Sequence, residues 1–252
     1  MSKKKASTPD LSPKSVQREK IKNELTIREF DWTEKQKHLI SLIRDKDSKL
    51  VFISGPAGVS KSLVSVYCGL QLLNNRRVSE IIYSRPILES ADTNSKLGFL
   101  PGDRDSKVEP YLYVAIQKLE ELLPESEINH LVSDKRINFL EVNYCRGLST
   151  VGKFWVIDEA QGFCFNELVT LITRIGIGSK VIICADPSQS DLPLNKQGGF
   201  KKLLEIFSDE ESKKNGIQTF QFTNEDIVRS GLCKYIVEKI DKYKEVSDSF
   251  KK

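Results

Sequence analysis

Leu50-Val51-Phe52-Ile53-Ser54-Gly55-Pro56-Ala57-Gly58-Val59-Ser60-Lys61-Ser62 is an apolar run that breaks into a turn of small residues and ends in Lys-Ser. A buried strand leading through such a turn into a helix is the sequence form of a phosphate-binding loop. The chemistry needs this order. Small residues, here Gly55, Pro56, Ala57, Gly58, Val59 and Ser60, let backbone N–H groups wrap around phosphate oxygens. Lys61 adds a positive charge against the β- and γ-phosphates of ATP, and Ser62 offers a hydroxyl to Mg2+. The helix expected over residues 61–73 points its positive dipole end at the same anion. Ser60 departs from the pattern G-x-x-x-x-G-K-[ST], which has glycine before the lysine. If Ser60 must adopt φ > 0, it costs about 1–2 kcal/mol relative to glycine, unless Gly58 absorbs the turn. A plain Gly-Ser connection between strand and helix is the structural alternative.

A second apolar run, Phe154-Trp155-Val156-Ile157, ends in Asp158-Glu159-Ala160-Gln161 and resembles a Walker B strand of the DEAD-like type. A buried parallel strand carries both acids to its carboxyl end, where Asp158 binds Mg2+ through water and Glu159 orients the attacking water. Neighbouring strand residues point opposite ways, so the two acids are expected to differ in role. The alternative is a strand followed by an acidic helix start. A third run, Val181-Ile182-Ile183-Cys184-Ala185, leads into Asp186-Pro187-Ser188-Gln189 and resembles the GDxxQ motif of first-superfamily helicases, with Ala185 in place of glycine. There Gln189 would sense the γ-phosphate and Asp186 would brace the site, or the segment is simply an Asp-Pro-Ser turn.

Around these motifs, strands are expected at residues 80–84 and 217–222 as well, and helices at 32–44 behind a Thr33 cap, 108–122, 165–175, 200–207 and 227–243. Strands alternating with helices imply an α/β fold, a mostly parallel sheet covered on both faces. The interval 86–144, rich in Gly and Pro, is expected to be an insertion near the ligand end of the sheet. Residues 1–24, with Lys3, Lys4, Lys5, Lys14, Arg18, Lys20 and Lys22, read as a disordered basic tail that touches nucleic acid or is merely solvated, residues 25–245 as one domain, and 246–252 as a flexible end. With 252 residues, two full helicase-type lobes do not fit comfortably. No run reaches the roughly 18 apolar residues of a membrane span, which points to a soluble cytoplasmic protein. Five cysteines without C-x-x-C spacing read as reduced thiols, and two isolated histidines give no zinc site.

Taken together, the motifs resemble the PhoH-like ATPase family. Supporting stretches include Ser84-Arg85-Pro86, Lys96-Leu97-Gly98-Phe99-Leu100-Pro101-Gly102-Asp103, Tyr144-Cys145-Arg146-Gly147, Thr173-Arg174-Ile175-Gly176, Gly178-Ser179-Lys180 and Glu225-Asp226-Ile227-Val228-Arg229-Ser230. The resemblance runs in order from about Trp32 to Tyr243. It implies a RecA-like P-loop NTPase core that binds and hydrolyses ATP with Mg2+ in the cytoplasm, acting on RNA or another nucleic acid. Gln36 matches a family glutamine upstream of the loop, where its amide would read the adenine edge, although a surface glutamine on the leading helix is the alternative.

Phosphoryl transfer also needs positive charge on the departing γ-phosphate. Arg229 is the first candidate for this arginine finger, from its place in the late motif, and Arg174 and Arg146 are the others. Solvent-facing salt bridges are the alternative for all three. Arg85, with Lys96, Arg104 and Lys107, is a candidate contact to the phosphate backbone of single-stranded RNA or DNA. A chain with one RecA lobe needs a partner to close its site, so a homo-oligomer is expected, a hexameric ring being one such arrangement. Two other functions share the phosphate loop: a slow nucleotide-dependent switch, permitted by Ser60, and a small-molecule kinase, against which the Asp158-Glu159 pair and Gln189 argue.

Overall fold

The computed structural model describes residues 24–86, 113–140, 142, 145, 150–190, 192 and 196–249. Residues 1–23 of the basic tail, the KLGFLPGD stretch, Lys96, Arg104, Lys107 and Arg146 lie outside the described residues.

Six strands form one parallel sheet: β1 (Leu50–Ser54), β2 (Ile81–Ser84), β3 (Ile137–Phe139), β4 (Phe154–Ile157), β5 (Lys180–Ala185) and β6 (Ile217–Gln221), in the order β3-β2-β4-β5-β1-β6. β5 therefore lies between the strand that feeds the phosphate loop and the strand that carries the acids. In register, Leu50 sits opposite Val181 and Ile217, and Phe154 opposite Ile81 and Lys180. The helices are α1 (Glu34–Arg44), α2 (Lys61–Asn74), α3 (Glu125–Ser133), α4 (Phe165–Ile172), α5 (Gly199–Ile206), α6 (Glu210–Lys214) and α7 (Gly231–Ser249). A further helix covers residues 113–120.

The continuous apolar runs of β1, β4 and β5 are buried on both faces, as a covered parallel sheet requires. Alternation sends Val51, Ile53, Tyr83, Phe154, Val156 and Ile182 to one core, beneath α1, α2 and α3. Phe52, Ile82, Trp155, Ile157, Val181 and Ile183 go to the other, beneath α4 and α5. Each such large side chain, removed from water, contributes about 1.5–3 kcal/mol relative to exposure.

The N-terminus of α1 is closed by a capping box. Thr33 accepts from the Gln36 amide through its hydroxyl, and the Gln36 side chain accepts from the Thr33 N–H. Before it, Leu25 is buried and clasped by Asn74 of α2 through two backbone hydrogen bonds.

In the interval expected to be an insertion, residues 113–140 build part of the sheet itself. α3 packs through Ile128 and Leu131, and β3 extends the edge beside β2. The last helix begins at Gly231, later than expected, because residues 227–230 are held against the phosphate loop. Val228 N–H donates to the Gly58 carbonyl at 3.1 Å, and Ile227 is buried. α7 continues to Ser249, beyond the expected helix end at 243, through a stretch with neither Gly nor Pro. It leaves Leu232 69%, Tyr235 57% and Tyr243 75% exposed. Among the described residues no helix is long and apolar enough to cross a membrane, and the five cysteines form no disulfide with one another.

Candidate functional site: a phosphate loop closed by a hydroxyl–carboxylate pair

The carboxyl ends of β1, β4 and β5 bring three loops together, as the strand order demands. The first is the phosphate loop. Its left-handed turn is made by two residues, Gly58 at φ +87° and Ser60 at φ +67°. Gly58 therefore does not absorb the turn for Ser60, which caps α2 in the left-handed conformation without a side-chain hydrogen bond. At Gly58 a Cβ would also lie 3.2 Å from the Arg229 Cβ and 3.3 Å from the Ile227 Cγ2. At Gly55 it would fall 2.6 Å from the Phe222 Cβ. The loop is small-residued as much to accept the chain behind it as to face a ligand.

Lys61 folds back over this loop and donates to the carbonyls of Gly55 at 2.7 Å and Pro56 at 2.8 Å. Ser62, the next residue, donates its hydroxyl to Asp158 Oδ1 at 2.7 Å. The two halves recognised separately in the sequence, 96 residues apart, thus meet directly. Asp158 is buried, and its backbone N–H still joins the sheet by donating to the Ser84 carbonyl. Its other oxygen, Oδ2, accepts from the Tyr83 hydroxyl. Burial, reinforced by the Asp158 charge, pushes the Tyr83 phenol well above its ordinary range, so Tyr83 acts as a fixed donor. Sequence reading missed Tyr83, because a tyrosine inside Ile81-Ile82-Tyr83-Ser84 is indistinguishable from core packing.

Asp158 and Glu159 do diverge, but not through strand alternation. β4 ends at Ile157, and Glu159 takes a left-handed turn at φ +51° that leaves its carboxylate exposed. Gln161 holds it there, donating to Glu159 Oε2 at 2.6 Å. The same amide accepts from the Asp186 N–H at 3.0 Å, so Gln161 ties the acidic turn to the turn after β5. Asp186, in its turn, holds Ser188 through both the backbone N–H and the hydroxyl. Gln189 follows with an exposed side chain.

Gln36 is not a surface residue. It is 4% exposed, its oxygen closes the capping box, and its nitrogen donates to the Val59 carbonyl at 3.4 Å. Arg229 stands beside the loop through its Cβ and is exposed. Arg174 follows α4, with its backbone carbonyl receiving Thr150. Arg85 continues β2 past Ser84, and its buried Nε has no hydrogen-bond partner among the described residues.

For a metal, the donors are an alcohol and a carboxylate, hard oxygens that suit Mg2+. No group of three or more His, Cys, Asp or Glu side chains arranged to hold a metal ion occurs among the described residues. An ion here would complete its shell with substrate phosphates and water, the usual habit of Mg2+.

The PhoH-like protein family model matches residues 31–241. This chain belongs to the PhoH-like family. Relatives called PhoH-like protein are 32% identical over 215 residues in Synechocystis sp. and 34% identical over 197 residues in Bacillus subtilis. The alignments cover 85% and 78% of this chain, and 63% and 60% of those proteins. Protein PhoH of Escherichia coli strain K12 is 31% identical, over 79% of this chain and 54% of its own length. The chain thus spans little more than half to five-eighths of the curated relatives it matches. Among solved structures it is similar to unliganded Pif1 from Bacteroides sp., with a TM-score of 0.35 and 15% identity over 77% of this chain and 42% of that one. The family and the parallel sheet with its loop define an α/β P-loop NTPase fold.

Proposed function

We propose that this PhoH-like chain binds ATP with Mg2+ and hydrolyses it to ADP and phosphate in the cytoplasm, with turnover coupled to single-stranded RNA or another nucleic acid. The observation that carries the reading is the 2.7 Å contact between Ser62 and Asp158, which joins the phosphate loop to the acidic strand. Small residues at 55–60 leave backbone N–H groups for the phosphates. The two carbonyl bonds of Lys61 are exchanged for phosphate oxygens on binding, so its ammonium keeps its donors in use. Ser62 and Asp158 hold the cation, Asp158 through water, with Tyr83 fixing the carboxylate. When bound, Mg2+ neutralises charge on the β- and γ-phosphates. Glu159 orients the attacking water, and Gln161 sets the position of Glu159. Gln189 senses the γ-phosphate from the neighbouring turn. Gln36 supports the base from behind the loop.

Arg229 is the first choice for the finger because it already stands against Gly58. Arg174 and Arg146 would act across an interface in a homo-oligomer such as a hexameric ring, and Arg85 is a candidate nucleic-acid contact. The test is phosphate release from ATP and Mg2+, with and without single-stranded RNA, by the wild-type chain and by Lys61→Ala. RNA-stimulated release that drops at least about 100-fold in the variant is expected. Absence of release in spite of tight nucleotide binding would instead favour a slow switch, a reading the strained Ser60 supports. Glu159→Gln separates the two, since it traps ATP only if the wild type turns it over.

A further inference from the structure

At the amino ends of the strands, opposite the phosphate loop, a cavity of about 610 Å3 opens between the end of α2, the start of β5 and the turn at residues 175–179. Its charged lining is Lys46, Lys49, Arg77 and Lys180, with no carboxylate among the described lining residues. Lys180 is 6% exposed and donates to the carbonyls of Asp45 and Ser48. Ser48 also lines the cavity, is 1% exposed, and has a hydroxyl with no hydrogen-bond partner among the described residues. Such an orphan is costly in a folded protein and marks a place where a polar partner is missing. Leu72, Val78, Ile175 and Ile177 supply the apolar part of the lining.

We propose that this cavity is a second ligand site, for a small phosphate monoester with a compact apolar or aromatic body. Phosphate matches the cations in charge, and Arg77 is suited to grip it, since one nitrogen donates to the Arg44 carbonyl while others remain available. The apolar lining covers the ester's body, and the volume lies within the range of small-molecule sites. Burial, then the Arg77 charge, acts against protonated Lys180, while Asp45 and Asp47 favour it, and an anion held between the two cations would add to that favourable side. The site is distinct from the phosphate loop: β1 separates them by its length, on the order of 15–20 Å.

Phenyl phosphate, titrated calorimetrically into the full chain without Mg2+, tests this. Equal binding by wild type and Lys61→Ala is expected, with at least ten-fold weaker binding by Lys180→Met and by the double variant Arg77→Ala/Lys49→Ala. The double variant alters side chains that reach solvent, and so guards against loss of fold in Lys180→Met. Wild-type affinity for inorganic phosphate should be lower than for phenyl phosphate. No binding, binding that weakens in Lys61→Ala, or binding unchanged in the double variant would each overturn the proposal. So would inorganic phosphate binding as tightly as the ester.

Discussion

Ser60 is the one residue of the phosphate loop that works against its own backbone. At φ +67° an L-residue costs about 1–2 kcal/mol relative to glycine, and Ser60 recovers none of it through a cap hydrogen bond. Ser60→Gly should therefore raise stability by about 1 kcal/mol, read as a higher urea midpoint at unchanged m-value. Gly58→Ala should do the reverse, since its Cβ would press on Ile227 and Arg229. Lys180 gives a pH signature. Burial, then Arg77, lowers its pKa from 10.5 to about 8. The unfolded chain then holds the proton more tightly between these values, so the cost of burying the charge is present below pH 8 and is lifted as pH rises to 10.5. Stability of the wild type relative to Lys180→Met should rise across that window, by at most about 1.4 kcal/mol per pH unit. A flat difference would show Lys180 to be charged throughout. Lys61, Ser62 and Asp158 stood out in the sequence because a phosphate-and-cation pattern would fix their types and spacing, and the fold brings Ser62 and Asp158 into contact. Tyr83 and Gln161 were hidden, because they act on protein groups that only the folded chain brings near.

At the scale of elements, the strands buried on both faces were legible throughout, since β1, β4 and β5 have no polar residue to interrupt their apolar runs before the functional turns. β3 was not, because three residues at a sheet edge, with Asn138 at the centre, give neither a run nor an alternation long enough to register. The start of α7 was misplaced for another reason. Ile227 packs on Gly58 and the Val228 N–H donates to the Gly58 carbonyl, tertiary contacts that outweigh helix propensity there. The capping box of α1 ties local structure to the site, since Gln36 serves both the helix end and Val59. Thr33→Ala should cost about 1 kcal/mol, measured by thermal unfolding. It should also weaken ATP binding if the Gln36 amide loses its orientation, whereas a helix cap acting alone would leave affinity unchanged.

At the scale of the whole molecule, two cores pack on either side of one sheet, and the loops at the carboxyl ends of β1, β4 and β5 are positioned by its hydrogen-bonded register. The segment after β6 braces the loop from outside this sandwich. Replacing Val228 by proline removes the N–H that donates to Gly58 while changing nothing on the ligand side. Nucleotide affinity should fall with the sheet intact, which far-ultraviolet dichroism and ATP-dependent thermal shifts together would show. An unchanged thermal shift would make the brace irrelevant to binding.

The strand order also sets a timetable. β1 is made early, yet its two neighbours come late: Ser54 hydrogen-bonds Phe220 across 166 residues of chain, and Lys180 at the foot of β5 reaches Ser48 across 132. At a synthesis rate of about 5–20 residues per second, the phosphate loop leaves the ribosome on the order of ten seconds before either flanking strand exists. Throughout that interval Leu50 to Ser54 is a bare apolar edge, and the chain's passage to a competent nucleotide site depends on what shields those five residues in the meantime.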